Sequence, residues 1–139
     1  MEQYLTKLTI AEPNYGWSSL KLNNNVYEVS YSTDAGVDFL KVAYNNYMNK
    51  KKGNVFTIIF DTEEVGCFYF ILCNRFLTVC SVDEDFIRHY LFDSAKEIMR
   101  QVYESIAPHA EAWAHFFYDE NKDSTEEINS LLNLIKEEL

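Results

Sequence analysis

The stretch Val55-Phe56-Thr57-Ile58-Ile59-Phe60-Asp61-Thr62-Glu63-Glu64-Val65-Gly66-Cys67-Phe68-Tyr69-Phe70-Ile71-Leu72-Cys73-Asn74-Arg75-Phe76-Leu77-Thr78-Val79-Cys80-Ser81-Val82 decides the fold class. It holds three apolar runs, 55–60, 67–73 and 76–82, each of strand length and rich in β-branched or aromatic residues. The first run is continuously apolar, as expected for a central strand. Residues 61–66 form a polar connection, and Asn74-Arg75 is a tight turn. Short loops between consecutive strands predict antiparallel pairing.

Toward the N-terminus, residues 26–32 alternate. Tyr27, Val29 and Tyr31 point one way, Glu28 and Ser30 the other, which predicts a half-buried strand. Residues 4–11 read as a first strand, and Glu12-Pro13-Asn14-Tyr15-Gly16 carries turn residues. Trp17 and Leu20 follow, and Asn23-Asn24-Asn25 makes another break. Between the N-terminal strands and residue 55, Thr33-Asp34 offers an N-cap, and Val37, Leu40, Tyr44, Tyr47 and Met48 recur at helical spacing. Lys50, Lys51 and Lys52 suit the negative end of that helix, and Gly53 a left-handed stop.

Toward the C-terminus, Asp83-Glu84-Asp85 ends the sheet region and His89 falls in a loop. Ser94 and Glu97 form a capping-box pattern, and Phe92, Ala95, Met99, Val102 and Ile106 mark one helix face. Pro108 ends or kinks that helix. A second helical stretch spans 109–118, with Trp113, Phe116 and Phe117 on its apolar side. After a polar loop at 119–123, Ser124 and Glu127 open a last helix lined by Ile128, Leu131, Leu132 and Ile135. The order β-β-α-β-β-β-α-α predicts one α+β domain over residues 1–139, an antiparallel sheet of about five strands packed against helices on one side.

The chain has 139 residues, 47% of them hydrophobic and 16% aromatic, so it can bury a core without a metal or a disulfide. Its net charge is −10. Nucleic acid is a poor partner for such a surface, because phosphates are repelled. A basic protein is attracted and its encounter accelerated. The alternative is that acidity only keeps the chain soluble. Cys67, Cys73 and Cys80 are odd in number and lie in apolar runs, which predicts buried reduced thiols and a reducing, cytoplasmic compartment. The start Met1-Glu2-Gln3-Tyr4 lacks a signal-peptide pattern, and no apolar run is long enough to span a membrane.

No arrangement in the sequence announces catalysis. The 4 glycines are scattered, with no phosphate-binding loop and no nucleophile elbow. The cysteine spacing C-x5-C-x6-C is not that of a zinc site, so neither metal nor cofactor is expected. His89, His109 and His115 lack convergent neighbours in sequence.

The charge is unevenly spread. Residues 54–139 hold 17 acidic and 6 basic side chains, a net of −11, whereas residues 1–53 come to +1. Three acidic segments stand out: Asp61 with Glu63 and Glu64, Asp83 with Glu84 and Asp85, and Asp119 with Glu120. Phe86, Tyr90 and Tyr118 lie beside them. Acidic groups around aromatic anchors suit a protein interface, so these eleven residues are the candidate partner-binding set. The competing reading is that the aromatics belong to the core.

Trp17 in the N-terminal segment, the strand Tyr27-x-Val29-x-Tyr31-Ser32, a helix, then Val55-Phe56-Thr57-Ile58-Ile59-Phe60 with an acidic connection ending in Gly66, a hairpin and helices make a familiar order. It resembles small cytoplasmic immunity proteins of bacterial polymorphic and contact-dependent growth inhibition toxin systems. The resemblance implies a monomer or weak dimer that binds one cognate toxin domain, often a basic nuclease, and neutralises it. It implies no enzyme activity, and neither nucleic acid nor membrane as partner. Two other functions remain open: a chaperone for a secreted effector, and a small enzyme whose site is assembled only by the fold.

Overall fold

The computed structural model describes residues 5–62, 66–119 and 121–139, with the backbone alone described at Asp61 and Thr62. Seven strands and four α-helices follow in the order β1 (Leu8–Ile10), β2 (Trp17–Leu22), β3 (Asn25–Ser30), α1 (Ala35–Met48), β4 (Phe56–Thr62), β5 (Gly66–Cys73), β6 (Phe76–Ser81), β7 (Phe86–Leu91), α2 (Ala95–Ile106), α3 (Ala110–Ala114) and α4 (Thr125–Glu138). The protein is α+β, but the expected single five-stranded sheet is two antiparallel sheets, β1-β2-β3 and β4-β5-β6-β7.

Two strands account for most of the difference. In β2, Trp17-Ser18-Ser19-Leu20-Lys21-Leu22, alternation buries Ser18, Leu20 and Leu22. Its two serines hide the apolar signal. A left-handed Asn23 (φ 55°) then closes the hairpin to β3. In β7, Phe86-Ile87-Arg88-His89-Tyr90-Leu91, the dipeptide Arg88-His89 sits in mid-strand, paired with Val79 and Thr78. His89 is therefore a strand residue. The expected first strand contracts to Leu8–Ile10, and residue 4 of that range lies outside the described residues. The continuously apolar β4 is an edge strand, not a central one.

Helix α1 explains why the four-stranded sheet has an inner face. Phe39 sits between Phe60 and Phe70, with ring centroids 5.2 and 5.3 Å away. At the far end, Asn46 donates to the Asn74 carbonyl (2.7 Å) and accepts from the Asn74 amide (2.8 Å), which ties the helix to the β5–β6 turn. The close approach of α3 leaves no room at Gly36, where an added Cβ would stand 2.9 Å from the Trp113 Cβ. Helix α2 serves the other sheet: Gln101 Oε1 accepts from the Leu8 amide, and Ser105 Oγ from the Ile10 amide at 3.1 Å. Side chains of a helix thus satisfy the open edge of β1.

The helix ends differ from expectation in instructive ways. Ser94 caps α2 by accepting from the Glu97 amide at 3.0 Å, as its pattern predicts. Ser124 does not cap α4. Its hydroxyl donates to Asp34 Oδ2 at 2.6 Å, and Asp123 Oδ1 accepts from the Thr125 amide instead. Asp34, committed to Ser124 and to Lys122 (3.2 Å), makes no side-chain cap on α1. Gly53 is left-handed (φ 69°) but lies beyond the helix end at Met48. The stretch expected to be helical to residue 118 stops at Ala114.

Candidate partner-binding surface

Antiparallel order carries the end of β4, the start of β5 and the end of β6 to the same end of their sheet. Gly66 and Cys67, which open β5, touch Asp83 of the turn after β6. The Cys67 amide donates to Asp83 Oδ2 at 3.1 Å, and a Cβ on Gly66 (φ 96°) would come within 3.3 Å of that oxygen. Ser81 Oγ donates to the Cys67 carbonyl at 2.7 Å and accepts from the Glu84 amide at 3.3 Å. Asp85 takes a left-handed φ of 54° to close the turn. Asp83, Glu84 and Asp85 are left exposed. Asp61 pairs with Cys67 at the base of the same end, while Glu63 and Glu64 lie outside the described residues.

Beside this acidic end is a cleft of about 200 Å3 between β3 and the four-stranded sheet. Its aromatic lining is Tyr27, Phe68 and Phe86, and its carboxylates are Glu28 and Glu84. Phe86 is half-buried, its ring 6.0 Å from that of Tyr27. The Arg88 guanidinium lies 4.4 Å from the Phe86 ring centre. It also donates to the Tyr27 hydroxyl at 3.1 Å, a bond that holds the guanidinium pKa above its ordinary value. The ring of Phe86 is already engaged by a cation from its own chain.

Tyr90 is not an exposed anchor. It is 7% exposed, and its hydroxyl meets that of Tyr27 at 2.6 Å and accepts from Asn25 Nδ2 at 2.9 Å. Burial, and after it the bond to Tyr27, pushes its pKa up to about 12. Its role is to join the two sheets, so the core reading holds for this aromatic. Tyr118 is exposed and packs edge-on against Tyr31, with centroids 6.2 Å apart. The loop that follows docks at the start of α1. It is held by the Tyr118 amide on the Tyr31 carbonyl, by Lys122 and Ser124 on Asp34, and by the Ser124 amide on the Ala114 carbonyl. Asp119 is exposed there, and Glu120 lies outside the described residues. Among the described residues, Asp83 is thus held against Gly66 and Cys67, and the loop after Tyr118 has its own anchorage.

Glu28 was not among the residues singled out from the sequence, although its place on the polar side of a clean alternation was the available signal. The outer face of the four-stranded sheet was missed as well. The cysteines lie on it, free of disulfides and partly exposed, not buried as expected. Charge pairing elsewhere is sparse. His109 Nδ1 stands 3.6 Å from Glu12 Oε1, and both line an open depression with Glu111 and His115. His89 Nδ1 is 2.9 Å from Thr78 Oγ1. Among the described residues, no group of three or more His, Cys, Asp or Glu side chains is placed to hold a metal ion, and no helix is long and apolar enough to cross a membrane.

Comparison with known protein families, with curated proteins and with solved structures found no match to this chain.

Proposed function

We propose that this chain is an inhibitor of the immunity type, which binds a cognate toxin domain with a basic surface and neutralises it without catalysis. The observation that carries the reading is the exposed Asp83, Glu84 and Asp85 turn, held against Cys67 beside a cleft that Glu28 and Glu84 line. Carboxylates at a sheet end steer a basic partner and raise its association rate. Glu28 and Glu84 on the walls of the cleft suit an arginine or lysine side chain of the partner, which gains charge pairing there. A nuclease fits this chemistry, because its substrate surface already receives phosphates, which the carboxylates would replace. The net charge of −10 supports the same partner.

The test is capture from the native lysate on the tagged chain, at low and at high salt, with mass spectrometry of what is retained. One basic protein held at low salt, and released only slowly at high salt, is the expected result. Nothing retained at either salt would refute the reading and return attention to the open depression at His109 and His115.

A further inference from the structure

We propose that the outer face of the four-stranded sheet is an interface between two copies of this chain, stacked face to face about a twofold axis that crosses the strands. Residues alternating with the core positions build this face. One row across it reads Ile59, Tyr69, Cys80 and Ile87, in register on all four strands. Ile71 and Phe76 extend it along the strands, past a row in which Thr57, Thr78 and His89 flank Ile71. Ile59, Phe76 and Ile87 are 55%, 53% and 68% exposed. A sheet face with this many exposed large apolar side chains marks an interaction site more often than it marks bare solvent-facing sheet.

The charges at its two ends say what covers it. Asp83, Glu84 and Asp85 stand at one end. Lys51, Lys52 and Arg75 stand at the other, where the α1–β4 connection and the β5–β6 turn meet. Both basic elements reach the outer face: Arg75 lies 5.6 Å from the Phe76 ring centre, and the Gly53 carbonyl is 4.0 Å from Cys73 Sγ. A uniformly basic partner would meet repulsion at this second end. A second copy does not. With the twofold axis along the strands, acid would face acid. With the axis across them, the acidic end of each copy lies over the basic end of the other. This is the self-complementarity that an isologous interface requires. It is also the aligned sheet stacking, at about 30° and about 10 Å, that twisted sheets favour. The net charge of each copy opposes association, but charges farther apart than about 8 Å are screened at physiological ionic strength.

The size of the face sets the strength. Four strands about 4.8 Å apart and about six residues long, at about 3.3 Å each, give a flat footprint on the order of 400 Å2 per copy. A standard interface takes about 800 Å2 from each partner, so this face is below standard size and the dimer is a weak, reversible one. The acidic end is shared with the basic partner proposed above, so that partner, on binding, dissociates the dimer.

Sedimentation of the full chain from about 1 to about 500 µM tests this. The expected result is a concentration-dependent shift from monomer to dimer. Ile87→Glu, at an exposed position, should raise the dissociation constant at least about tenfold. The triple variant Lys51→Glu, Lys52→Glu, Arg75→Glu should dimerise poorly alone. Mixed with Asp83→Lys, Glu84→Lys, Asp85→Lys, it should form a mixed dimer by restored complementarity. Circular dichroism establishes that each variant is folded, and Ile59→Lys stands in for Ile87→Glu if that variant is not. A monomer at every concentration overturns the proposal. So does a dimer indifferent to both face variants, or a face that captures a foreign protein while the chain stays monomeric.

Discussion

Ile58 and Ile59 are consecutive isoleucines in β4, and they meet different surroundings. Ile58 is 5% exposed on the face covered by α1, and Ile59 is 55% exposed on the face that is not. Their cross-strand partners divide in the same way, Phe70 buried and Tyr69 half-exposed. Residue type cannot distinguish the two positions. Only the placement of a helix does. The inner face is apolar because it is covered, and the outer face keeps Ile59, Tyr69, Phe76 and Ile87 beside Thr57, Thr78 and His89 without cover from a helix. An uncovered apolar sheet face is a cost to solubility that a chain keeps when something docks there.

The largest effect should therefore separate these neighbours. Ile58→Ala should lower the unfolding free energy by about 2–5 kcal/mol, because it opens a cavity beneath α1. Ile59→Ala should change it by no more than about 0.5 kcal/mol. Urea unfolding of both variants, at a concentration where the chain is monomeric, reads the difference. Equal losses would break the comparison and mean that the outer face is packed.

A smaller effect sharpens the same comparison from the inner side. Tyr90 faces Tyr27 between the sheets, and its pKa is raised from 10.0 to about 12, first by burial and then by that hydrogen bond. Between those values the folded chain holds a proton that the unfolded chain has released. Stability present below pH 10 is thus lost as pH rises toward 12. Tyr90→Phe should make the decline over that window shallower, measured by urea midpoints at stepped pH. A decline of unchanged slope would mean that Tyr90 is not buried against Tyr27.

The sequence reading located what local pattern determines. The strand 67–73, the Asn74-Arg75 turn, the body of α1 and the Ser94 cap all declare themselves through periodicity, turn chemistry or capping spacing. What it lost was set by distant neighbours. β2 receives no element from the sequence, because serines take positions that only the paired strands make into sheet. β7 reads as a loop because Arg88 and His89 interrupt an apolar run, and Arg88 is tolerated there by reaching over the Phe86 ring and bonding Tyr27. Ser124 fits a capping box by spacing, yet Asp34, ninety positions earlier, takes its hydroxyl. The acidic end was half legible. Charge singled out Asp83, Glu84 and Asp85, and the topology alone brought them to Gly66 and to the cleft beside Glu28. Tyr90 was read with the interface because sequence proximity to acids says nothing about which way a side chain turns.

The central claim is that the acidic end recruits a basic protein. Its most direct test is the association rate of the captured partner with the native chain and with the Asp83→Lys, Glu84→Lys, Asp85→Lys variant, across a series of ionic strengths. The account predicts a rate at least about tenfold lower in the variant, with a flattened dependence on salt. An unchanged rate and an unchanged salt dependence would contradict it and remove this end of the sheet from the binding surface.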